Sequence, residues 1–415
     1  MARPMASHPV HQRVRKLQSQ LVAFLKKFLE IPTVNPPGAR YGDCIGLLEK
    51  KLRGLGLETK VYRVPKAEQE RLNPGYAEYP RYNIVARWDT GAKKTLHYSG
   101  HYDVVPATLG WKTDAFKPYI KGNKLVARGT QDMKGCDTAA LFAVQALLES
   151  GAKPAWNIEL SFTADEETGG QAGLGWLVHK KLVKPDAAVL LEGGAGDDIG
   201  YSHRGVLWSE YTVYGTPAHG SNPKGGINAL EKAIFLIGEM KKLERAFAKR
   251  RTKFLADGAA KTPTIMFGGV SGGGAKVNVI PDRFRFTIDR RVIPEEKKAQ
   301  VKAELERIVR AAQRKDRELK VSVREFCWVD PGITKLGAPI LENTLAAHRA
   351  VTGRRGRFRM MAGFTDMHYF TEDAGVPTVG YGVKGAGLHG DFEYCTLDGL
   401  REAASIYAEL ALRMR

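Results

Sequence analysis

The chain has 415 residues, of which 43% are hydrophobic, so it can bury a full core and is long enough that the core is expected to divide between two domains. Disorder is excluded. Lys and Arg number 64 against 45 Asp and Glu, a formal charge of +19. The basic residues are interleaved with acids in helical stretches such as 241–253 and 296–320, without a finger, aromatic RNA-binding pair or basic-leucine pattern, so a solvated surface is expected and a nucleic-acid partner is not.

In chain order, residues 12–32 carry a helical stripe of Leu17, Leu21, Phe24, Leu25 and Phe28 that NPPG ends. Neither this N-terminal stretch nor any other reaches the roughly 18 apolar residues of a membrane span, and none has the continuous core of a signal peptide. Cys44, Cys136, Cys327 and Cys395 have no pairing and no metal-finger spacing, so they read as reduced thiols of a cytoplasmic protein. A second helix is expected at 41–54, then β-rich runs at 58–64, 81–88 and 94–99, a helix at 132–149, a strand at 155–163, a helix at 171–182 and a strand at 186–191. Such alternation predicts a sheet covered by helices.

The character changes near 205. A strand at GVLWSEYTVYG, a helix over 225–249, strands at 263–271 and 282–290, a helix over 295–315 and a strand at 318–326 follow the ferredoxin-like order. Sheet-and-helix character resumes with a helix at 339–352, an apolar run at 376–382 and a last helix at 397–413. The expected organisation is therefore a first domain over 1–204, an inserted domain over 205–326 and the remainder of the first over 327–415. The glycine run 271–282 lacks a P-loop lysine followed by Ser or Thr, and reads as a turn.

Acids and histidines cluster at the ends of the apolar runs. His101 follows one strand, with Asp103 placed to accept its far ring proton or hold the site in register, whereas His97 inside the strand reads as packed. Asp132 stands in a glycine-bounded loop before a helix, as a helix cap or as a carboxylate bridging two cations. Glu166 and Glu167 follow a second strand, where adjacent carboxylates could divide labour between a proton and a metal, or form a solvated acidic turn. Glu192 ends a third strand, and GLHGDFEYC supplies His389, with Glu393 four residues on. Two ions sharing Asp132, one with His101 and Glu192 and the other with Glu167 and His389, would each have three protein ligands and room for water.

These motifs, SGHYDVVP, RGTQDMKG, TADEETGG, LEGG, GTPAHGS and the late His389-Gly-Asp-Phe-Glu393, resemble those of the co-catalytic zinc deacylases and exopeptidases, among them acetylornithine deacetylase, succinyl-diaminopimelate desuccinylase, aminoacylase and glutamate carboxypeptidase. The resemblance covers nearly the whole chain. It implies an α/β, metallopeptidase-like catalytic domain with a central, mostly parallel sheet, interrupted by a smaller α+β ferredoxin-like lid through which two subunits form a homodimer. It implies two divalent ions, zinc first with cobalt or manganese as alternatives, on His101, Asp132, Glu167, Glu192 and His389. Glu166 is then the general base, Asp103 the partner of His101, and His219 a donor reaching the scissile carbonyl oxygen across a closed dimer. Arg290, or Arg291 if the match slips by one residue, and Asn278 would bind a substrate carboxylate. Gly363, Thr365 and Asp366 match a segment lining the cleft, with Phe364 and Met367-His368-Tyr369 making it bulky. The expected reaction is hydrolysis of the amide bond of an N-acyl amino acid, with a carboxypeptidase or dipeptidase reaction as the alternative. A non-catalytic, metal-stabilised binding protein is disfavoured by Glu166, which the fold itself does not require.

Overall fold

The computed structural model describes residues 8–415, so the first seven residues of the N-terminal stretch lie outside it. Two compact units emerge. One comprises Met1–His203, Gly332–Met361 and Thr365–Arg415, and the other Arg204–Pro331 with Ala362–Phe364.

The larger unit is built on an eight-stranded mixed sheet. At its centre Asn157–Thr163, Thr95–His101, Ala187–Ala195 and Thr378–Gly382 lie side by side and parallel. Glu58–Arg63 and Tyr82–Trp88 extend one edge in antiparallel fashion, and Asp198–His203 with Arg357–Met361 complete the other. The strands at 95–101 and 157–163 are buried along their whole length, as expected of central strands covered on both faces. Helices Pro9–Leu29, Lys134–Ser150 and Leu397–Arg413 pack against one another. The apolar stripe of the first helix is indeed its buried side, with Leu17, Leu21, Leu25 and Phe28 at most 1% exposed. A second, four-stranded antiparallel sheet, which the sequence did not announce, is formed by the short strands Tyr119–Lys121, Lys124–Val126, Gly385–Ala386 and Tyr394–Thr396.

The smaller unit is an antiparallel four-stranded sheet of Gly205–Tyr214, Thr264–Gly273, Arg283–Val292 and Lys320–Val329, with helices Ala229–Lys241 and Lys298–Lys315 on one face. Numbering the strands one to four along the chain, their order across the sheet is two, three, one, four, the ferredoxin-like arrangement. Its last strand runs to Val329, so a boundary at 326 falls inside that strand, and the unit continues to Pro331. The alternation of Arg283–Val292 is strict at its far end: Phe286, Ile288, Arg290 and Val292 are all buried. The three apolar ones belong to the core under the helices.

Candidate metal centre

The parallel register of the central strands sets the site. His101 pairs with Thr163 and Ser99 with Leu190, so the chain segments leaving these three strands emerge at one end of the sheet, the usual place for ligands in open α/β sheets. After Thr163 the chain turns through Asp165, held at φ 66°, into a short 3-10 turn, Glu166–Thr168, that carries both glutamates. Glu192 stands within Ala187–Ala195, two residues past the last paired position with Thr95–His101. Asp132 precedes the helix Lys134–Ser150, whose cap position is Met133, and no side chain caps it. Of the two roles open to Asp132, the cap is therefore excluded. Its oxygens face two histidines instead: Oδ1 lies 3.2 Å from His101 Nε2 and Oδ2 3.1 Å from His389 Nε2. Gly135 permits this loop, because a Cβ there would meet Thr130 O at 2.0 Å.

Two groups result that could each hold a metal ion: His101, Asp132 and Glu192, and Asp132, Glu167 and His389. Within each, the ligand atoms lie within 4.8 Å of one another, and Asp132 is common to both. His389 Nε2 is also 3.3 Å from Glu167 Oε2. A tetrahedral ion with donors at ~2.0–2.2 Å separates those donors by roughly 3.3–3.6 Å, close to the spacings of Asp132 from His101 and His389 and of His389 from Glu167. Two further observations support the fit: the buried His101 Nε2 and Glu192 Oε1 make no hydrogen bond. Glu166 belongs to neither group, yet its Oε2 is 3.6 Å from His101 Nε2.

The electrostatics call for cations. Burial, followed by the charge of neighbouring carboxylates, pushes Glu166 and Glu192 well above the usual carboxylate range. Burial and Asp132 push Glu167 up to about 7, and burial pushes Asp366 up to about 7. Burial opposes a charge on His101, but the Asp103 and Asp132 carboxylates beside it outweigh this and hold it well above the ordinary imidazole value. The bonds of His389 to Asp132 and Glu167 raise it to about 10. Burial would raise Asp132, but the two histidines hold it below the usual range. Without metal, then, protons take the place of the positive charge that this set of carboxylates demands.

Buried groups hold the donors in place. His101 Nδ1 lies 3.0 Å from Asp103 O and 3.3 Å from Asp103 Oδ1. The Asp103 carboxylate also accepts from the backbone N–H groups of Glu166 and Glu167. Glu393, fully buried, accepts from Arg128 at 2.7 Å and from the N–H groups of Gly129, Gln131 and Asp132, fixing the Asp132 loop. Its place four residues after His389 was visible in the sequence; its role in that loop was not. His97 is packed as expected, bonded to Glu159 and Ser161.

The smaller unit brings His219 and Asn278 together: Gly220 N donates to Asn278 O at 2.8 Å, His219 bridges to Val279, and both residues are exposed. It does not leave Arg290 available. That side chain is fully buried, its guanidinium bonded to Glu296 at 2.6 Å and lying 4.0 Å from the ring centre of Phe247, so the expectation that Arg290 binds a substrate carboxylate is corrected. Arg291 points to the opposite face, where its Nε and Nη2 bond Asp289 at 2.7 and 2.8 Å. The bulky segment is also placed differently from expectation. Met367, His368 and Tyr369 are buried in the larger unit, with Tyr369 donating its hydroxyl to Gly169 O, so they fill core and do not line an open pocket. Asp366 does approach the glutamate turn, since a Cβ on Gly170 would meet its Oδ1 at 2.0 Å.

Residues 97–413 match the description of peptidase family M20/M25/M40. A succinyl-diaminopimelate desuccinylase of Gluconobacter oxydans is 28% identical over 399 residues, covering 93% of this chain and 95% of its own. An uncharacterised metallohydrolase of Methanocaldococcus jannaschii is 26% identical over 347 residues, 80% of this chain and 83% of its own. Among solved structures, the di-peptidase Dug1p of Saccharomyces cerevisiae shares the fold with a TM-score of 0.83 at 18% identity, over 98% of each chain. Human carnosine dipeptidase 1 does so with a TM-score of 0.77 at 20% identity, over 98% of this chain and 99% of its own. No helix among the described residues is long and apolar enough to cross a membrane. With two donor groups sharing one carboxylate and a free glutamate beside them, this chain is a metal-dependent hydrolase and belongs to peptidase family M20/M25/M40.

Proposed function

We propose that the protein hydrolyses the amide bond of N-acyl amino acids, as a deacetylase or desuccinylase does. The observation that carries the chemistry is the place of Glu166, buried, outside both donor groups and 3.6 Å from His101 Nε2. The substrate class is supported by the desuccinylases that align along 93–95% of this chain.

In this reading His101, Asp132 and Glu192 hold one divalent ion and Asp132, Glu167 and His389 the other, zinc in first place and cobalt or manganese as substitutes. The ions would supply Lewis acidity, polarising the amide carbonyl and making water acidic at neutral pH. Glu166 takes the proton of the attacking water and returns it to the leaving amine. Asp103 keeps the His101 ring oriented. His219 donates to the oxyanion from a second copy of the chain, the protein acting as a homodimer, and Asn278 beside it binds substrate. The carboxylate of the substrate falls to Arg291, whose Nε and Nη2 bond Asp289 and whose guanidinium lies 5.5 Å from the ring centre of Phe364.

The test is hydrolysis of N-acetyl, N-succinyl and N-formyl amino acids alongside dipeptides by metal-replete protein, with Glu166→Ala as blank. Release of amino acid from the acyl substrates that vanishes in the blank is the expected result. Turnover confined to dipeptides would move the assignment to peptidase.

A further inference from the structure

Behind the donors lies a set of buried polar groups that the reaction neither protonates nor consumes. Two carboxylates, Asp103 and Asp165, stand on either side of the turn that presents Glu166 and Glu167. Asp103 Oδ1 accepts from Glu166 N at 3.3 Å and Oδ2 from Glu167 N at 3.2 Å, while the same carboxylate lies 3.3 Å from His101 Nδ1. Asp165, the residue that opens the turn, accepts from Arg81 Nε at 2.7 Å, Asn73 Nδ2 at 3.1 Å and the Tyr41 hydroxyl at 3.2 Å. Among the described residues, one side chain bonds both carboxylates. Asn35 Nδ2 donates to Asp103 Oδ2 at 2.8 Å and to Asp165 Oδ1 at 3.0 Å.

Asn35 is 1% exposed, and its own backbone is fastened to the segment after His101, its N–H donating to Val104 O at 2.9 Å beside the bridge of Val34 to Val104. Two like charges in a low-dielectric interior repel unless donors stand between them. A primary amide offers one hydrogen to each carboxylate without adding charge of its own. Arg81 supplies the balancing charge, but at Asp165 alone.

We propose that Asn35 is a positioning residue for hydrolysis: by bonding Asp103 and Asp165 together it fixes the end of the His101 strand relative to the Glu166–Glu167 turn, and so sets the spacing of the two donor groups. The inference rests on the roles assigned above to His101, Glu166 and Glu167. Asn35 touches neither an ion nor the substrate, and acts through the two carboxylates.

Asn35→Ala removes both carboxylate bonds and a third, weaker one to Thr168 Oγ1 at 3.3 Å, Asn35→Ser keeps one donor that can serve one carboxylate at a time, and Asn35→Asp puts a third acid between the two. Asn157→Ala is the control. Asn157 is also a buried asparagine, bonded to Thr90 N and Ala92 O at 2.9 Å, but at the opposite end of the strand that leads to Glu166. Each protein is stripped and titrated with zinc against a chromogenic chelator, and kcat, KM and melting temperature are recorded. Loss of a group that orients metal ligands costs about 10–100-fold in metal affinity or activity. The expected result is a loss of that size in zinc affinity and kcat for Asn35→Ala with KM little changed, a smaller loss for Asn35→Ser and a larger one for Asn35→Asp. The control loses melting temperature while keeping its zinc affinity. Wild-type zinc affinity and kcat in Asn35→Ala or Asn35→Ser, whatever the melting temperature, overturn the proposal, as does an equal loss in Asn157→Ala. If the wild-type protein turns over none of the substrates, the functional reading fails, and the zinc titration still decides for or against Asn35.

Discussion

Replacing Arg290 by leucine separates a structural arginine from a substrate-binding one. The guanidinium is fully buried, with Nη2 on Glu296 and Nη1 on the backbone carbonyl of Arg291, and it lies 4.0 Å from the centre of the Phe247 ring. Leucine leaves Glu296, whose side chain is 11% exposed, with Arg250 at 2.9 Å as its remaining cation. Removing one partner of a buried pair costs ~3–5 kcal/mol, and the surviving Arg250 contact brings the expectation to about 2–3 kcal/mol. For a unit of this size ~1 kcal/mol moves the melting temperature by roughly 4 °C, so Arg290→Leu should melt about 8–12 °C lower. Thermal unfolding followed by circular dichroism reads this directly. With the folded enzyme assayed well below that transition, KM should stay within about twofold, because no substrate contact has gone. On the proposed reading, in which Arg291 holds the substrate carboxylate, Arg291→Leu should do the reverse: loss of a charged hydrogen bond of ~1.5–3 kcal/mol raises KM by about 10–100-fold with little change in melting. An Arg290→Leu protein that melts like the wild type and shows the raised KM would refute the reasoning, and return the carboxylate to Arg290.

The shared carboxylate should show in metal counting: His389→Ala keeps one tightly bound ion per chain by elemental analysis, while Asp132→Ala weakens both. One retained ion in each variant would contradict a bridging Asp132. The stripped protein should lose stability as pH rises from about 5 to 8. Glu167 and Asp366, raised to about 7 by burial, favour their protons when folded, so their contribution falls from the ordinary carboxylate range up to that value; His389 adds to the fall from 6.5 up to about 10. A melting temperature higher at pH 5.5 than at pH 8 is expected without metal, and loading with zinc should abolish the fall; a flat profile in stripped protein would count against it. Glu393→Ala leaves Arg128 buried without its carboxylate and frees three N–H groups of the Asp132 loop, so ~3–5 kcal/mol of stability should go in denaturant titrations, together with zinc affinity. Unchanged unfolding would show that loop to be held by something else.

What could be read from the sequence were strand ends. His101, the Glu166–Glu167 turn and Glu192 follow apolar runs whose parallel pairing carries their ends to one end of the sheet, so local pattern was enough to gather these, whereas Asp132 before a helix and His389 between two short strands are brought there by other elements. Asp132 stood one residue too early to cap its helix, a difference that helix boundaries read from sequence do not decide. Arg290 is in phase with Phe286, Ile288 and Val292, so alternation alone places it on the buried face and Arg291 on the other. Asn35, Arg81 and Asp165 gave no such signal. Their bonds join residues 84 and 130 positions apart, and each sits in a turn or strand edge where Asn, Arg and Asp are ordinarily solvated. The short strands of the second sheet, two or three residues long, lie below what periodicity can detect.

The position of Thr378–Gly382 has a consequence for synthesis. This strand lies between Ala187–Ala195 and Asp198–His203, in the interior of the large sheet although it comes last in the chain of that sheet's eight strands. A ribosome that has delivered everything up to the inserted unit has made most of the sheet, but with a slot open where two strands expose unpaired backbone. The helix that packs beside the N-terminal one, and His389 itself, arrive still later. The ion-binding groups therefore cannot close until residue 389 has left the ribosome, and a chain stopped before residue 378 keeps that slot open, a template for pairing with other chains in place of its own strand.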